Sequence, residues 1–276
     1  MPMAMEPRPG AAMASARRIG AMILRYWYLL RSSWPRLLEL VYWPAVQMLM
    51  WGFLQTYLYE RTGIPAAAAG ALLGAVLLWD ILFRGQIGFS ISFLEEMWAR
   101  NLGHLMISPL RTGEFVAALM VMSVIRVIIG LGPVTLMALV FFGFNVFSLG
   151  LALAGFFLVL IATSWSIGLV VCGLVLRQGL GAEGLAWSLI FLLLPLACVY
   201  YPVSTLPEWL QYVSLSLPPT YVFEGMRAVL IDGVFRGDLM LRGLLLNVVY
   251  MAVGLACFYA LMRSARVHGS LLVSGE

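Results

Sequence analysis

The residues able to do chemistry are few and are not grouped for catalysis. His104 and His268 are the two histidines, which leaves no H-E-x-x-H zinc helix. Cys172, Cys198 and Cys257 each stand alone in an apolar run. They lack the C-x-x-C spacing of a metal or redox site and read as small buried hydrophobes. All 17 cationic side chains are arginine. A chain without lysine holds no phosphate-binding G-x-x-x-x-G-K-[ST] loop, no Schiff base and no Ser–Lys pair. No Cys, His and carboxylate cluster has ligand spacing, and no nucleophile stands with a base. Catalytic residues, a metal and a cofactor are therefore not expected on this chain.

The charges inside apolar runs carry more information. Asp80 and Arg84 are four residues apart and share one helix face. Each alone would cost about 2.5–3.5 kcal/mol to insert into a bilayer, whereas together they can neutralise one another. Arg126 has no acidic residue within a turn, so it needs a partner from another helix, a snorkelling route or water. Two readings stay open: Asp80, Arg84 and Arg126 line a polar path for an anionic headgroup or phosphate, or they form a structural pair that fixes helix register.

These charges must be held by membrane-spanning elements. Of 276 residues, 62% are hydrophobic and 11% charged, against about 25% charged in soluble domains. So few charges could not cover the surface of a soluble fold, and they exclude disorder. An all-α integral membrane protein is expected. A hydrocarbon core about 30 Å thick needs roughly 20 apolar helical residues. Six runs qualify: Leu40–Tyr59, Ala69–Phe93, Phe115–Phe142, Phe147–Leu176, Gly184–Tyr201 and Leu239–Met262. The third and fourth are long enough to tilt, break or extend, and Gly130, Gly132 and Pro133 mark a break point in the third.

Arginine placement sets the expected orientation. One side would hold Arg8, Arg17, Arg18, Arg25, Arg31, Arg36, Arg100, Arg111, Arg177, Arg263 and Arg266, the other Arg61, Arg227, Arg236 and Arg242. Both termini are then cytoplasmic. The net charge of +4 is scattered and forms no basic stripe, so nucleic acid is not an expected partner. Residues 1–16 lack the apolar core and cleavage site of a signal peptide and are expected to be a retained, flexible N-terminus. Residues 17–276 are expected to form one transmembrane domain.

Three segments outside the spans stand out. Before the first span, Ile19, Met22, Ile23, Tyr26 and Leu30 share one helical sector, while Arg17, Arg18, Arg25, Arg31 and Ser32 lie opposite, with Trp27 near the edge. This pattern predicts an amphipathic helix in the interface plane, held by lipid headgroups and ended by Pro35. The alternative is a plain extension of the first span. Between spans two and three, Glu95, Glu96, Trp98, Arg100, Asn101, His104, Ser108, Pro109 and Arg111 make the densest polar stretch. It reads as a short cytoplasmic helix closed by Ser108-Pro109, able to dock in a partner's groove or to lie as a solvated loop helix. Between spans five and six, Pro202 to Asp238 contains two proline-started short helices that are too apolar for a solvated loop. They predict a re-entrant or interfacial hairpin on the outer face, with Glu224 and Arg227 placed to pair. That pair could also line an exit path.

Taken together, these pieces resemble the type-2 permeases of ATP-binding-cassette exporters. The resemblance rests on Phe93-Leu94-Glu95-Glu96-Met97-Trp98-Ala99-Arg100-Asn101-Leu102 with Ser108-Pro109-Leu110-Arg111. It rests equally on Pro202-Val203-Ser204-Thr205-Leu206-Pro207-Glu208-Trp209-Leu210-Gln211 with Pro218-Pro219-Thr220-Tyr221 and Glu224-Gly225-Met226-Arg227. Where the family often has Asn-Pro, this chain has Leu217-Pro218. The resemblance implies that Glu95–Arg111 is a coupling helix docked on a separate nucleotide-binding ATPase subunit, which would carry the ATP and Mg. It implies that the helix bearing Arg18, Arg25, Tyr26 and Trp27 is a connecting helix. Pro202, Pro207, Trp209, Tyr221, Glu224 and Arg227 would belong to an extracellular gate. Two permease copies, as a homodimer in a bacterial inner membrane, would enclose the substrate path. The implied function is export of an amphipathic, lipid-linked, glycan or drug-like substrate. The alternatives are an energy-independent membrane scaffold or assembly factor and an ion-coupled carrier. The carrier is disfavoured because Asp80 is almost the only acid in the spans and no internal repeat is visible.

Overall fold

The computed structural model describes residues 10–62 and 66–268, and among these there are helices and turns but no strand. In chain order the helices are α1 (Ala11–Arg31), α2 (Trp34–Thr62), α3 (Ala66–Trp98), α4 (Leu102–Ile107), α5 (Thr112–Phe142), α6 (Leu151–Gln178), α7 (Leu185–Leu196), α8 (Glu208–Leu215), α9 (Pro218–Ile231) and α10 (Gly237–His268). Five are long and apolar enough to cross a membrane: α2, α3, α5, α6 and α10. Helix α3 is the centre of the bundle. Its most apolar stretch is 83% buried, against 17% for α2 and for α10, whose outward faces are exposed.

The expected fifth span is shorter than Gly184–Tyr201. Helix α7 has 12 residues, about 18 Å of rise, against a core of about 30 Å. Pro195 lies in its last turn, and Cys198 takes a left-handed φ of 53°, which turns the chain. The apolar sequence continues past that point, so hydropathy overran the helix end. The third expected span does not break: α5 runs through Gly130, Gly132 and Pro133. It stops instead at Gly143, whose φ of 65° lets the Gly143 and Phe144 N–H groups bond back to Leu139 and Ala138. The fourth is interrupted near its start, where Val146–Leu149 forms a 3-10 turn capped by Asn145 and Gly150 (φ 58°) resets the chain for α6.

Two apolar clusters fill the bundle. One joins the outer halves of α3 and α6 to α9 through Leu73, Leu77, Phe156, Val222, Phe223 and Met226. Pro218 and Pro219 start α9, where missing N–H groups cost nothing, and its Val222, Phe223 and Met226 pack into the bundle. The other cluster, at the opposite end, unites α1, the end of α3, α4, the start of α5 and the end of α10 through Tyr26, Phe93, Leu102, Phe115 and Met262. Helix α1 and the end of α10 thus meet at one end of the bundle. Small residues allow the closest approaches, as is usual in membrane helix packing. At Gly254 an added Cβ would sit 2.8 Å from the Ser166 carbonyl oxygen. Between the same two helices, Asn247 donates to Val159 O at 2.8 Å and accepts from Thr163 Oγ1 at 2.8 Å.

The N-terminal part differs from expectation in three ways. Residues 11–16, grouped by sequence with the flexible leader, belong to α1, and residues 1–9 lie outside the described residues. Helix α1 ends at Arg31 rather than at Pro35, which instead occupies the first turn of α2. Finally, Met22, Tyr26 and Leu30 face the protein rather than lipid.

Candidate functional site: a charged cavity above a clasped helix end

Helix α3 continues to Trp98, so Glu95 and Glu96 are its last-turn residues and not part of a separate coupling helix. They point into the protein. Glu96, 1% exposed, accepts from Arg25 Nη1 at 2.6 Å and from Asn101 Nδ2 at 2.7 Å. One carboxylate thus binds α1, α3 and the residue that opens α4. Nearby, Glu114 in the first turn of α5 accepts from Arg18 Nη2 and Nε at 2.5 and 2.8 Å, from Ser15 Oγ at 2.7 Å and from Arg111 N at 2.9 Å. Glu114 raises the Arg18 guanidinium above its ordinary pKa, through the hydrogen bond first. Burial, reinforced by the Glu96 carboxylate, pushes the Tyr26 phenol up. Arg18 and Arg25 are therefore paired with protein carboxylates, and the Arg25 side chain stays 37% exposed. Trp27 packs at the edge of the same cluster.

What this clasp presents outward is α4 and its flanks. Arg100 takes a left-handed φ of 53° in the turn before it. Arg100, His104, Pro109 and Arg111 are exposed, whereas Asn101 and Ser108 are half-buried; Ser108 donates to Leu105 O at 2.6 Å and ends the helix. Trp98 is half out of the protein and donates to Glu183 at 3.0 Å, tying the end of α3 to the turn before α7. Ile107 is 85% exposed, an apolar knob that the polar reading of this stretch passed over.

Directly above lies a cavity of about 740 Å3 between α2, α3 and α7, of a size typical for ligand sites. Its wall near the clasped end carries Arg36, Glu39, Arg84, Glu95 and Arg126, and its far wall is Trp43, Met50, Trp79, Phe83, Trp187 and Phe191. Arg126 finds its partner on another helix: its Nη2 stands 3.3 Å from both Glu95 oxygens. Arg36 Nη1 reaches the same carboxylate at 3.1 Å, so two arginines share one acid. Arg84 and Asp80 form the expected pair, but at 3.8 Å, and Arg84 Nη1 donates to Leu40 O at 2.9 Å. Arg84 and Arg126 line the cavity, whereas Asp80 is 1% exposed and sits behind the wall. Arg36 and Glu39 were not singled out by sequence. The available signal was their place beside the expected span, Arg36 one turn before Leu40 and Glu39 immediately before it.

At the opposite end, Pro202, Pro207 and Trp209 are exposed. Tyr221 is buried and donates to Leu215 O at 2.7 Å. Glu224 pairs with Arg227 at 3.0 Å and accepts from Val203 N at 2.7 Å, while Arg227 also donates to the carbonyls of Cys198 and Val199 at 3.0 and 3.3 Å. This pair closes the hairpin on itself and holds the left-handed Cys198. Among the described residues, no group of His, Cys, Asp and Glu could hold a metal.

No curated protein matches the chain. The family model of the ABC-2 type transporter matches residues 21–231, which takes in the Glu96 clasp, α4, the cavity and the hairpin through α9. With a multi-pass bundle and most of its length matched, the chain belongs to the ABC-2 type transporter family and forms the membrane-spanning part of a permease.

Proposed function

We propose that the chain is the permease subunit of an ATP-driven exporter in a bacterial inner membrane, with both termini cytoplasmic. The carrying observation is that the exposed α4 end, with Ile107 at its tip, is bound by Glu96 to α1 and to the base of α3. Helix α3 then forms a wall of the cavity. A push on α4 would reach the cavity as a rigid shift of α3 rather than as local bending. The motor is a separate nucleotide-binding subunit, since this chain lacks the lysine a phosphate loop requires. That subunit would carry the ATP and Mg. Two permease copies, in contact with membrane lipid, would flank the path, and the outer hairpin would limit exit from it. A passive scaffold needs neither the cavity nor a clasped, exposed helix. Affinity purification of the tagged full chain from co-expressing membranes, followed by ATPase assay, tests the proposal. It predicts an ATP-hydrolysing complex. A folded permease that never retains an ATPase subunit would refute it.

A further inference from the structure

Resting on that reading of the cavity as the substrate path, we infer that it takes an amphiphile with one anionic head, of phosphate or sulfate type, loaded from the cytoplasmic leaflet.

The shape comes first. Fourteen residues of α2 separate Arg36 from Met50, about 21 Å of helix. One leaflet with its headgroup layer is about 20 Å deep. The charged groups occupy only the lower end, while the upper wall is Met50, Trp79 and Phe191. This polarity runs the same way as that of a lipid in the cytoplasmic leaflet, which can enter without inverting.

The charge argument specifies an anion. Arg36, Arg84 and Arg126 meet Glu39 and Glu95 around the lower end. Two of the three arginines depend on one Glu95, at distances of 3.1 and 3.3 Å, longer than the roughly 2.7–2.9 Å of a strong charge-assisted bond. Arg126 is 6% exposed, lines the cavity, and its Nε has no hydrogen-bond partner among the described residues. A guanidinium that is almost fully buried and only loosely paired has unused donors in a desolvated site. An anionic head can take them in competition with Glu95, leaving that carboxylate to Arg36. A cationic head would face three arginines against Glu39 and Glu95, and would have to displace an arginine to reach Glu95.

Tryptophan quenching tests this in the full permease with its ATPase, reconstituted in phosphatidylcholine nanodiscs, with chain-brominated tetradecyl phosphate as probe. Trp43, Trp79 and Trp187 in the wall report occupancy. The phosphate probe should bind about tenfold more tightly than brominated tetradecanol, the equivalent of one charge-assisted bond. Arg126→Gln should abolish that preference, and Arg126→Lys should restore part of it. Met50→Trp, which shortens the apolar end, should weaken the tetradecyl probe and spare an octyl one. Equal quenching by phosphate and alcohol would overturn the inference in favour of ordinary boundary lipid. Inorganic phosphate competing as tightly as the amphiphile would overturn it in favour of a free-anion site. Trp187→Cys copies that cross-link quantitatively to each other with no probe binding would mean that a second copy fills the groove. ATPase retention is scored on the same preparations. Absence of head preference in the unsubstituted permease with the complex intact therefore refutes the anionic amphiphile alone, while loss of the ATPase refutes the exporter reading.

Discussion

Replacing Glu96 with Gln tests the clasp with little change in shape. The carboxylate accepts from Arg25 at 2.6 Å and Asn101 at 2.7 Å. The carboxamide keeps one acceptor and turns a donor toward one of the two donors. Breaking a fully buried ion pair costs about 3–5 kcal/mol. Here the Arg25 side chain is 37% exposed and can hydrate once released, which lowers the cost to about 2 kcal/mol, near the value of one hydrogen bond to a charged group. That corresponds to about a 30-fold shift toward an opened clasp. Hydrogen–deuterium exchange should register it as an increase of this order confined to α1 and residues 101–107, with α6 and α10 unchanged. Uniformly faster exchange would mean that Glu96 supports the whole bundle. Unchanged exchange in α4 combined with loss of the ATPase would mean that Glu96 touches the partner directly, contrary to its burial.

Three further outcomes follow from the same geometry. Ile107→Asp should leave the melting temperature in detergent unchanged while weakening ATPase retention at least about tenfold if α4 docks as proposed, because an exposed apolar tip at a contact behaves as an interface anchor. Gly254→Val should destabilise the bundle by about 1–3 kcal/mol, read as a lower melting temperature, because its Cβ would stand 2.8 Å from a backbone oxygen of α6 that cannot move aside. Arg227→Gln should cost about 1.5–3 kcal/mol locally and speed proteolysis between residues 198 and 206, since it removes the donors that hold the Cys198 and Val199 carbonyls.

Much of this arrangement was legible in sequence where the interaction is local. The i, i+4 spacing of Asp80 and Arg84 and the i, i+3 spacing of Glu224 and Arg227 predict pairs that the structure contains. Hydropathy located the five helices that are long and apolar enough to cross a membrane among the described residues, though it added a sixth run that is too short, and Pro218-Pro219 marked the start of α9. What failed depended on other helices. Nothing within a turn of Arg126 indicates that Glu95, on a different helix, is its partner. The amphipathic pattern of α1 is the same whether its apolar face meets lipid or protein, so burial of Tyr26 was not readable. The polar run from Glu95 to Arg111 looked continuous, yet two of its acids are in the last turn of α3 and turned inward. The short α7 was hidden because an apolar sequence shows no boundary where a backbone turn, here the left-handed Cys198, ends the helix.

The central claim is that α4 is the contact through which an ATP-binding-cassette subunit moves this permease. The most direct measurement places a thiol-linked photocross-linker at Ile107→Cys in a Cys257→Ser background, where Cys172 and Cys198 stay buried. The full chain is then illuminated in native membranes with and without ATP. The account predicts one adduct with a nucleotide-binding subunit, formed in yields that differ between the two nucleotide conditions. A folded permease whose Ile107→Cys site forms no such adduct, while the same membranes still transport substrate, would contradict it.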